Sequence, residues 1–395
     1  MNSDGKMTSL ELRSSLTLAL IFFLRMTGLF LILPVFVLYA EGLPDATPTL
    51  TGIALGCYGL TQAVFQIPFG WMSDRVGRKP VIIAGLLIFA AGSAIAGMAD
   101  SITTVIIGRA LQGSGAIAAA VMALAADLTR DSQRTKAMAL IGISVGVAFA
   151  LAFVAGPLLD PLIGVPGLFY LAGILALLAV IVLKTLVPDP AVETHEDKTG
   201  PKISRLGLVL KNHILLMLNV GIFTLHAVLM ASFVVIPLVL RDQGGLAPAE
   251  HWHVYLPVLL LSGLIMLPFL LLGERLHRVR EILTVAILLL AVSQLLFSLD
   301  IGGVTALAMV LVLFFTTFNY LEATLPSLVS KTVGHGEKGT ALGTFSTSQF
   351  LGIFTGGFIG GMLHEHVGIG AVFLFGTTVC LLLFCLALAW PPVEH

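Results

Sequence analysis

The chain has 395 residues, 57% of them hydrophobic and only 11% charged, and its mean hydropathy is +1.02. A water-soluble fold of this length needs far more polar surface to cover its core, so that class is excluded. The formal net charge of -1 carries no footprint for nucleic acid, and the three cysteines (Cys57, Cys380, Cys385) all lie in apolar runs that suggest no disulfide framework.

Taking about 20 apolar residues per crossing, the sequence predicts twelve spans. They fall at 15–40, 49–71, 80–99, 102–126, 137–160, 166–187, 213–240, 252–273, 282–299, 303–329, 340–364 and 368–390. The first run follows a short basic lead (Lys6, Arg13) but is too long for a signal-peptide core and is interrupted by Arg25, so it reads as an uncleaved first helix. An even number of spans places both termini on one side.

Between the second and third spans lies Gly70-Trp-Met-Ser-Asp-Arg-Val-Gly-Arg-Lys-Pro80. Its glycines and proline forbid a simple continuous helix, so the chain turns back here. Arg75, Arg78 and Lys79 outnumber Asp74, which marks the turn as cytoplasmic. Of the 21 Lys and Arg, Arg25 and Arg109 fall inside spans, Arg241 lies in a loop on the far side, and the other 18 lie at the N-terminus, in loops on the motif's side or at their edges. Glu41, Asp45, Asp100, Asp160, Asp242, Glu250, Asp300 and Glu365 cluster on that far side. Both termini are therefore expected to be cytoplasmic.

The long polar segment Pro188 to Asn212 divides the chain into six-span halves, 1–187 and 213–395, with 188–212 as linker. Within it, 203–210 reads equally as a surface amphipathic helix or a plain tether. The halves look like repeats. Gly70…Arg75…Arg78 is echoed by Gly273-Glu-Arg275…Arg278, and Gly142 and Gly156 of span five by Gly343 and Gly357 of span eleven. A parallel duplication of six spans is a transporter architecture with its substrate site at the midplane.

Three motifs in register resemble the major facilitator superfamily. Gly70, Asp74, Arg75, Gly77, Arg78 and Lys79 look like its motif A. Arg109-Ala-Leu-Gln-Gly113-Ser-Gly115 resembles motif B, and Gly142, Gly146, Gly156 and Pro157 resemble motif C of the drug:proton antiporters. The chain departs from that pattern in ending motif C with Leu158-Leu-Asp160 rather than paired glycines, which weakens the antiporter inference. Related proteins carry a soluble C-terminal domain, whereas this chain stops four residues after Pro391, so no cytosolic module is expected.

The resemblance implies an all-α membrane protein of twelve helices with the major facilitator fold, located in a bacterial inner membrane. It also implies that Asp74 faces the positive N-terminus of helix eleven in the outward-open state. Such a contact contributes about 0.3–1 kcal/mol when exposed. Arg78 would pair with Asp127 at the foot of helix four. A purely topological role would need the cations but neither Gly70 nor Gly77.

An ionisable side chain at the bilayer centre costs about 2.5–3.5 kcal/mol on insertion scales, so each needs a reason. Four stand out: Arg25, Arg109, His226 and Glu322. Glu322 shares a helix face with Asn319, and His226 shares one with Asn219. Glu322 is the leading candidate for a coupling proton, because a carboxyl can load where it is desolvated and release where water or a cation reaches it. His226 is second; a structural ion pair for the one and a satisfied core histidine for the other are the bland alternatives. Arg25 and Arg109, with Gln62, Gln66, Gln112 and Gln349, complete a cavity with few polar groups. That suits an amphipathic organic substrate better than a sugar.

His251-Trp-His253 and His364-Glu-His366 do not have helical metal-ligand spacing, and no Walker, nucleophile-elbow or zinc-protease pattern is present. No metal, cofactor, nucleic acid or enzymatic activity is expected. The sequence thus points to a monomeric, proton-coupled exporter working by alternating access, with protons, lipid and a small organic compound as partners. A proton-coupled importer of a metabolite and a non-transporting membrane sensor remain as alternatives.

Overall fold

The computed structural model describes residues 6–189, 212–299, 301–333 and 338–389; the linker interior with the surface helix expected over 203–210, and Asp300, lie outside the described residues. Every regular element described is helical. Contacts gather the chain into two compact units, Met1–Phe36 with Val64–Gly200, and Val37–Ala63 with Pro201–His395.

In the first unit, α1 (Ser9–Phe30) begins with a capping box. Thr8 Oγ1 accepts from the Glu11 amide at 3.2 Å, and Glu11 accepts from the Thr8 amide at 2.8 Å. A short α2 (Phe36–Ala40) follows, and then α3 (Pro48–Val76), which leaves the second unit at Ala63 and enters the first at Val64. Its 29 residues reach about 43 Å at 1.5 Å per residue, enough to cross a bilayer with its headgroups.

Next, α4 (Arg78–Gly97) starts at Gly77, whose φ of 106° lies in the left-handed region that L side chains avoid. This is the physical reason for a glycine at that position of the turn.

The fourth predicted span is broken. It consists of α5 (Ile102–Ser114) and α6 (Ala118–Asp127), separated by non-helical Gly115 to Ile117. A helix break inside a membrane is tolerated only where protein groups satisfy the freed backbone. Here Arg25 of α1, fully buried, donates from Nη2 to the Gly115 carbonyl at 3.0 Å.

The fifth and sixth predicted spans lie in α7 (Arg134–Leu186), two helices that meet at Gly164, whose φ of 68° and ψ of 169° are not helical, with Pro161 and Pro166 beside it. α7 packs against α1 and α4.

The second unit is built on α8 (His213–Asp242), whose N-terminus is capped by Asn212 accepting from the Ile214 amide at 3.0 Å and the Leu215 amide at 3.2 Å. Nearly all of α8 is buried. Around it stand α9 (Trp252–Arg275), α10 (Val279–Ser298), α11 (Val304–Thr332), α12 (Lys338–His366) and α13 (Ile369–Leu388). Without a hydrophobic drive between helices in lipid, close approach depends on small residues. Accordingly α12 lies on α8 through Gly352, Gly356 and Gly360, and on the first half of α3 through Gly357 and Gly361.

Ten helical segments among the described residues are long and apolar enough to cross a membrane. One of them, Asp131–Leu186, has 56 residues, more than twice the length one crossing needs. α12 is not among the ten because its run of glycines, serines and threonines lowers its hydropathy, although its 29 residues are long enough.

Candidate functional site

The second unit brings together His226, Glu322 and Gln349 from three helices. His226 on α8 is buried, and its Nδ1 lies 3.2 Å from the Ile222 carbonyl one turn earlier. A carbonyl only accepts, so Nδ1 carries a proton and Nε2 of the neutral ring is a lone pair. The Gln349 side-chain amide of α12 donates to that Nε2 at 2.8 Å, and to Glu322 Oε1 of α11 at 3.3 Å. Glu322 Oε2 lies 3.7 Å from His226 Nε2. Among the described residues that buried Oε2 accepts no hydrogen bond. Phe318, one turn before Glu322, meets the imidazole edge-on at 5.8 Å.

The cluster therefore holds a base, a carboxylate and a bridging amide in the middle of a helical bundle. It can take one more proton at Oε2, or at Nε2 once Gln349 gives way. Asn319 reaches Ser262 of α9 at 3.5 Å, and Asn219 is buried on α8 two turns before His226.

In the first unit the buried charges are spent on the backbone and on amides. Arg25 bonds Gly115 and lies 5.5 Å from the centre of the Phe89 ring, within cation–π range. Arg109 donates to Gln112 Oε1 at 3.0 Å, and Gln112 donates in turn to Ser93 Oγ at 2.7 Å. Gln62 and Gln66 are both buried on α3, one on each side of the point where that helix passes between units.

At the turn between α3 and α4, Arg78 is the hub. Its Nε lies 3.0 Å from Asp127 Oδ2, its Nη1 donates to Ser73 Oγ at 2.8 Å, and it pairs with Asp74. Arg75 stacks its guanidinium 3.9 Å from the centre of the Trp71 ring. Gly70 faces α6, where a Cβ would stand 3.3 Å from that of Ala119. Lys79 ties the start of α4 to the end of α7, bonding the Val187 carbonyl at 2.6 Å and Asp189 at 2.7 Å. Within motif C, Gly156 touches the Leu31 carbonyl, where a Cβ would stand 2.4 Å away, while among the described residues nothing lies within 4 Å of a Cβ at Gly142 or Gly146.

Sequence reasoning missed two polar links. Buried Glu11 joins the start of α1 to Arg130 at 2.8 Å. Glu365, at the end of α12, accepts from the Thr49 amide in the first turn of α3 at 2.9 Å. The sequence Thr8-Ser-Leu-Glu11 carries the spacing of a capping box, a signal that could have been read, but nothing local announces its long-range partner. Among the described residues no group of three or more His, Cys, Asp or Glu side chains could hold a metal ion.

Residues 18–354 and 251–395 match the family described as Major Facilitator Superfamily. The chain is 46% identical over 374 residues to the inner membrane transport protein YajR of Escherichia coli (strain K12), covering 95% of this chain and 82% of that one. It is 26% identical over 384 residues to multidrug resistance protein 1 of Bacillus subtilis (strain 168), covering 94% and 95%. Among solved structures, a bacterial homologue of the human lysosomal transporter Spinster, in an inward-facing and occupied conformation, matches with a TM-score of 0.81 at 14% identity. That match covers 98% of this chain and 100% of that one, a likeness of fold alone. From these matches and the helical architecture, the chain belongs to the Major Facilitator Superfamily and is a multi-pass inner-membrane transporter rather than an enzyme.

Proposed function

We propose that this transporter exchanges protons for small amphipathic organic compounds and so exports them, with His226 and Glu322 as the proton site. The observation that carries the reading is the buried Glu322 Oε2, which accepts no hydrogen bond among the described residues and lies 3.7 Å from His226 Nε2. An acceptor left without a donor inside a bilayer protein is costly unless something occupies it part of the time. A proton does this without disturbing the packing.

A cationic or hydrogen-bond-donating compound near Glu322 would compete with that proton, and competition at one site produces exchange. The likeness to a protein named for multidrug resistance supports an organic rather than a sugar substrate. In this reading both termini are cytoplasmic, α7 counts as two crossings and α12 as one, and two six-span halves (1–187 and 213–395) joined by 188–212 act in a monomer. Asp74, Arg78 and Asp127 latch the state in which Asp74 meets the N-terminus of α12. Arg25, Gln62, Gln66, Arg109 and Gln112 line or brace the substrate path.

The test is proton release from purified protein on addition of a panel of lipophilic cations and neutral drugs. Wild type is expected to release protons with at least one compound, and Glu322→Gln with none. Equal release from both would move the proton site elsewhere.

A further inference from the structure

Gln349 contacts both members of the His226–Glu322 pair, and it stands on a different helix from either. One amide nitrogen donates to His226 Nε2 at 2.8 Å and to Glu322 Oε1 at 3.3 Å, which uses both of its hydrogens. This pattern is satisfied only while Nε2 is a lone pair and the carboxylate oxygen is unprotonated. It is the form with no proton on Nε2 or Oε1.

A proton arriving at Nε2 makes it an N–H donor. Because Nδ1 already gives its hydrogen to Ile222, the ring is then an imidazolium with no acceptor left. The amide nitrogen would face a second donor at 2.8 Å, a repulsive arrangement. It must withdraw or turn its Oε1 toward the ring, while the new charge pairs with Glu322 Oε2. A proton arriving at Glu322 Oε1 has the same consequence on the other side.

The position of Gln349 along α12 gives that movement a lever. Three residues further on, Gly352 rests on α8 so closely that a Cβ would stand 2.3 Å from the Phe223 carbonyl. Six residues earlier, among the described residues nothing lies within 4 Å of a Cβ at Gly343. Among the described residues no hydrogen bond N-terminal to Gln349 ties α12 to another helix; there Ala341 and Phe345 are buried while the Gly339 and Gly343 face is open. We infer that Gln349 is a positioning residue that reads the protonation state of the His226–Glu322 pair and transmits it to the N-terminal half of α12. This rests on the reading of that pair as the proton site.

The surroundings leave few competing groups. α8 packs mainly on α11, α12 and α13 and meets α10 where Ser232 bonds Gln294, and the first half of α3 lies on α12 with Tyr58 against Phe350 and no Asp, Glu, His, Lys or Arg. α11 presents Glu322, with Lys331 in its last turn; α12 has Lys338, His364, Glu365 and His366 only near its ends; α13 carries no Asp, Glu, His, Lys or Arg. α9 and α10, packed on α11, have ionisable residues only near their ends, His253, Glu274 and Arg275 in one and Arg280 and Glu281 in the other.

The experiment follows the freedom of α12 without needing the substrate. Gly343→Cys is introduced after Cys57, Cys380 and Cys385 are changed to serine. Its reaction with a water-soluble maleimide is timed on purified protein from about pH 5 to about pH 8, the window in which a histidine titrates. Rates are normalised to free cysteine at each pH. Because protonation breaks the Gln349 tie, the expected parent profile is several-fold faster labelling at the acidic end, with a single midpoint. Gln349→Met, similar in length but unable to donate, is expected to flatten the profile, and Gln349→Asn to recover part of it. A Gln349→Met profile identical to the parent's, with Glu322→Gln flat, would overturn the role of Gln349 and leave the proton site standing. A flat parent profile would overturn it as well, and proton release on compound addition then decides separately whether the proposed exchange survives.

Discussion

The two halves of α12 are made of similar residues and behave differently. In the C-terminal half, a Cβ at Gly352, Gly356 or Gly360 would stand 2.3, 2.1 or 2.8 Å from α8, and one at Gly357 or Gly361 would stand 2.4 Å from α3. In the N-terminal half, among the described residues nothing lies within 4 Å of a Cβ at Gly339 or Gly343. The first unit repeats the contrast on α7, where Gly156 is tightly packed and Gly142 and Gly146 are open. Glycine at the closed positions is required by contacts present in this state. Glycine at the open positions has no such reason here, and the alternation between two states that the proposed exchange requires would supply one. A residue that is idle in one packing is needed in the other.

The largest expected effect is at the closed end. Gly356→Leu would drive a branched side chain into the Ala227 backbone, where even a Cβ stands 2.1 Å from the carbonyl oxygen. Overpacking of this kind costs about 3 kcal/mol, and since the obstacle is backbone it cannot be relieved by a rotamer change. Thermal unfolding in detergent should show a large fall in melting temperature. Next comes Gly77→Ala, which forces an L residue to φ 106° at the start of α4 and should cost about 1–2 kcal/mol by the same assay. It separates a backbone requirement from the packing requirement on α12.

A smaller effect is expected for Glu365→Gln. The nearby Thr49 hydroxyl, the hydrogen bond from the Thr49 amide and the nearby Thr47 hydroxyl hold the Glu365 carboxyl at about 2, below its ordinary 4.5. The charged form is the one the fold favours, so its contribution is complete above the ordinary carboxylate range and fades as pH falls toward 2. Hydrogen exchange at residues 47–52 should accelerate in wild type on such acidification and should be insensitive to it in the glutamine variant. Smallest of all is Gly343→Ala. With open space around it, the substitution should leave stability unchanged or raise it by up to about 1 kcal/mol through helix propensity. A marked destabilisation there would show that the open end is packed after all.

Much of this fold was readable from local chemistry. The turn at Gly70 to Pro80 and the intramembrane His226 and Glu322 follow from charge, breakers and hydropathy, and the pairing of Arg78 with Asp127 from the family resemblance. What could not be read depends on neighbours far away in sequence. The break at Gly115 is stabilised by Arg25, ninety residues earlier, and no local pattern announces it. The separation of spans 137–160 and 166–187 was expected, but not that a single glycine at φ 68° makes the turn between them. The hydropathy of α12 is low because its glycines serve contacts with α3 and α8, and a scale that reads only lipid affinity undervalues such a helix. Gln349 looked like one neutral amide among several; only the geometry singles it out.

The central claim is that protonation of the His226–Glu322 pair governs the freedom of one half of α12 and leaves the other half alone. Hydrogen–deuterium exchange along residues 338–366, compared at about pH 5 and about pH 8 after correction for intrinsic exchange, tests it most directly. The account predicts altered protection N-terminal to Gln349, no change from Gly352 to Gly361, and loss of the difference in Glu322→Gln. Uniform change along the whole helix, or the same change in the variant, would contradict it.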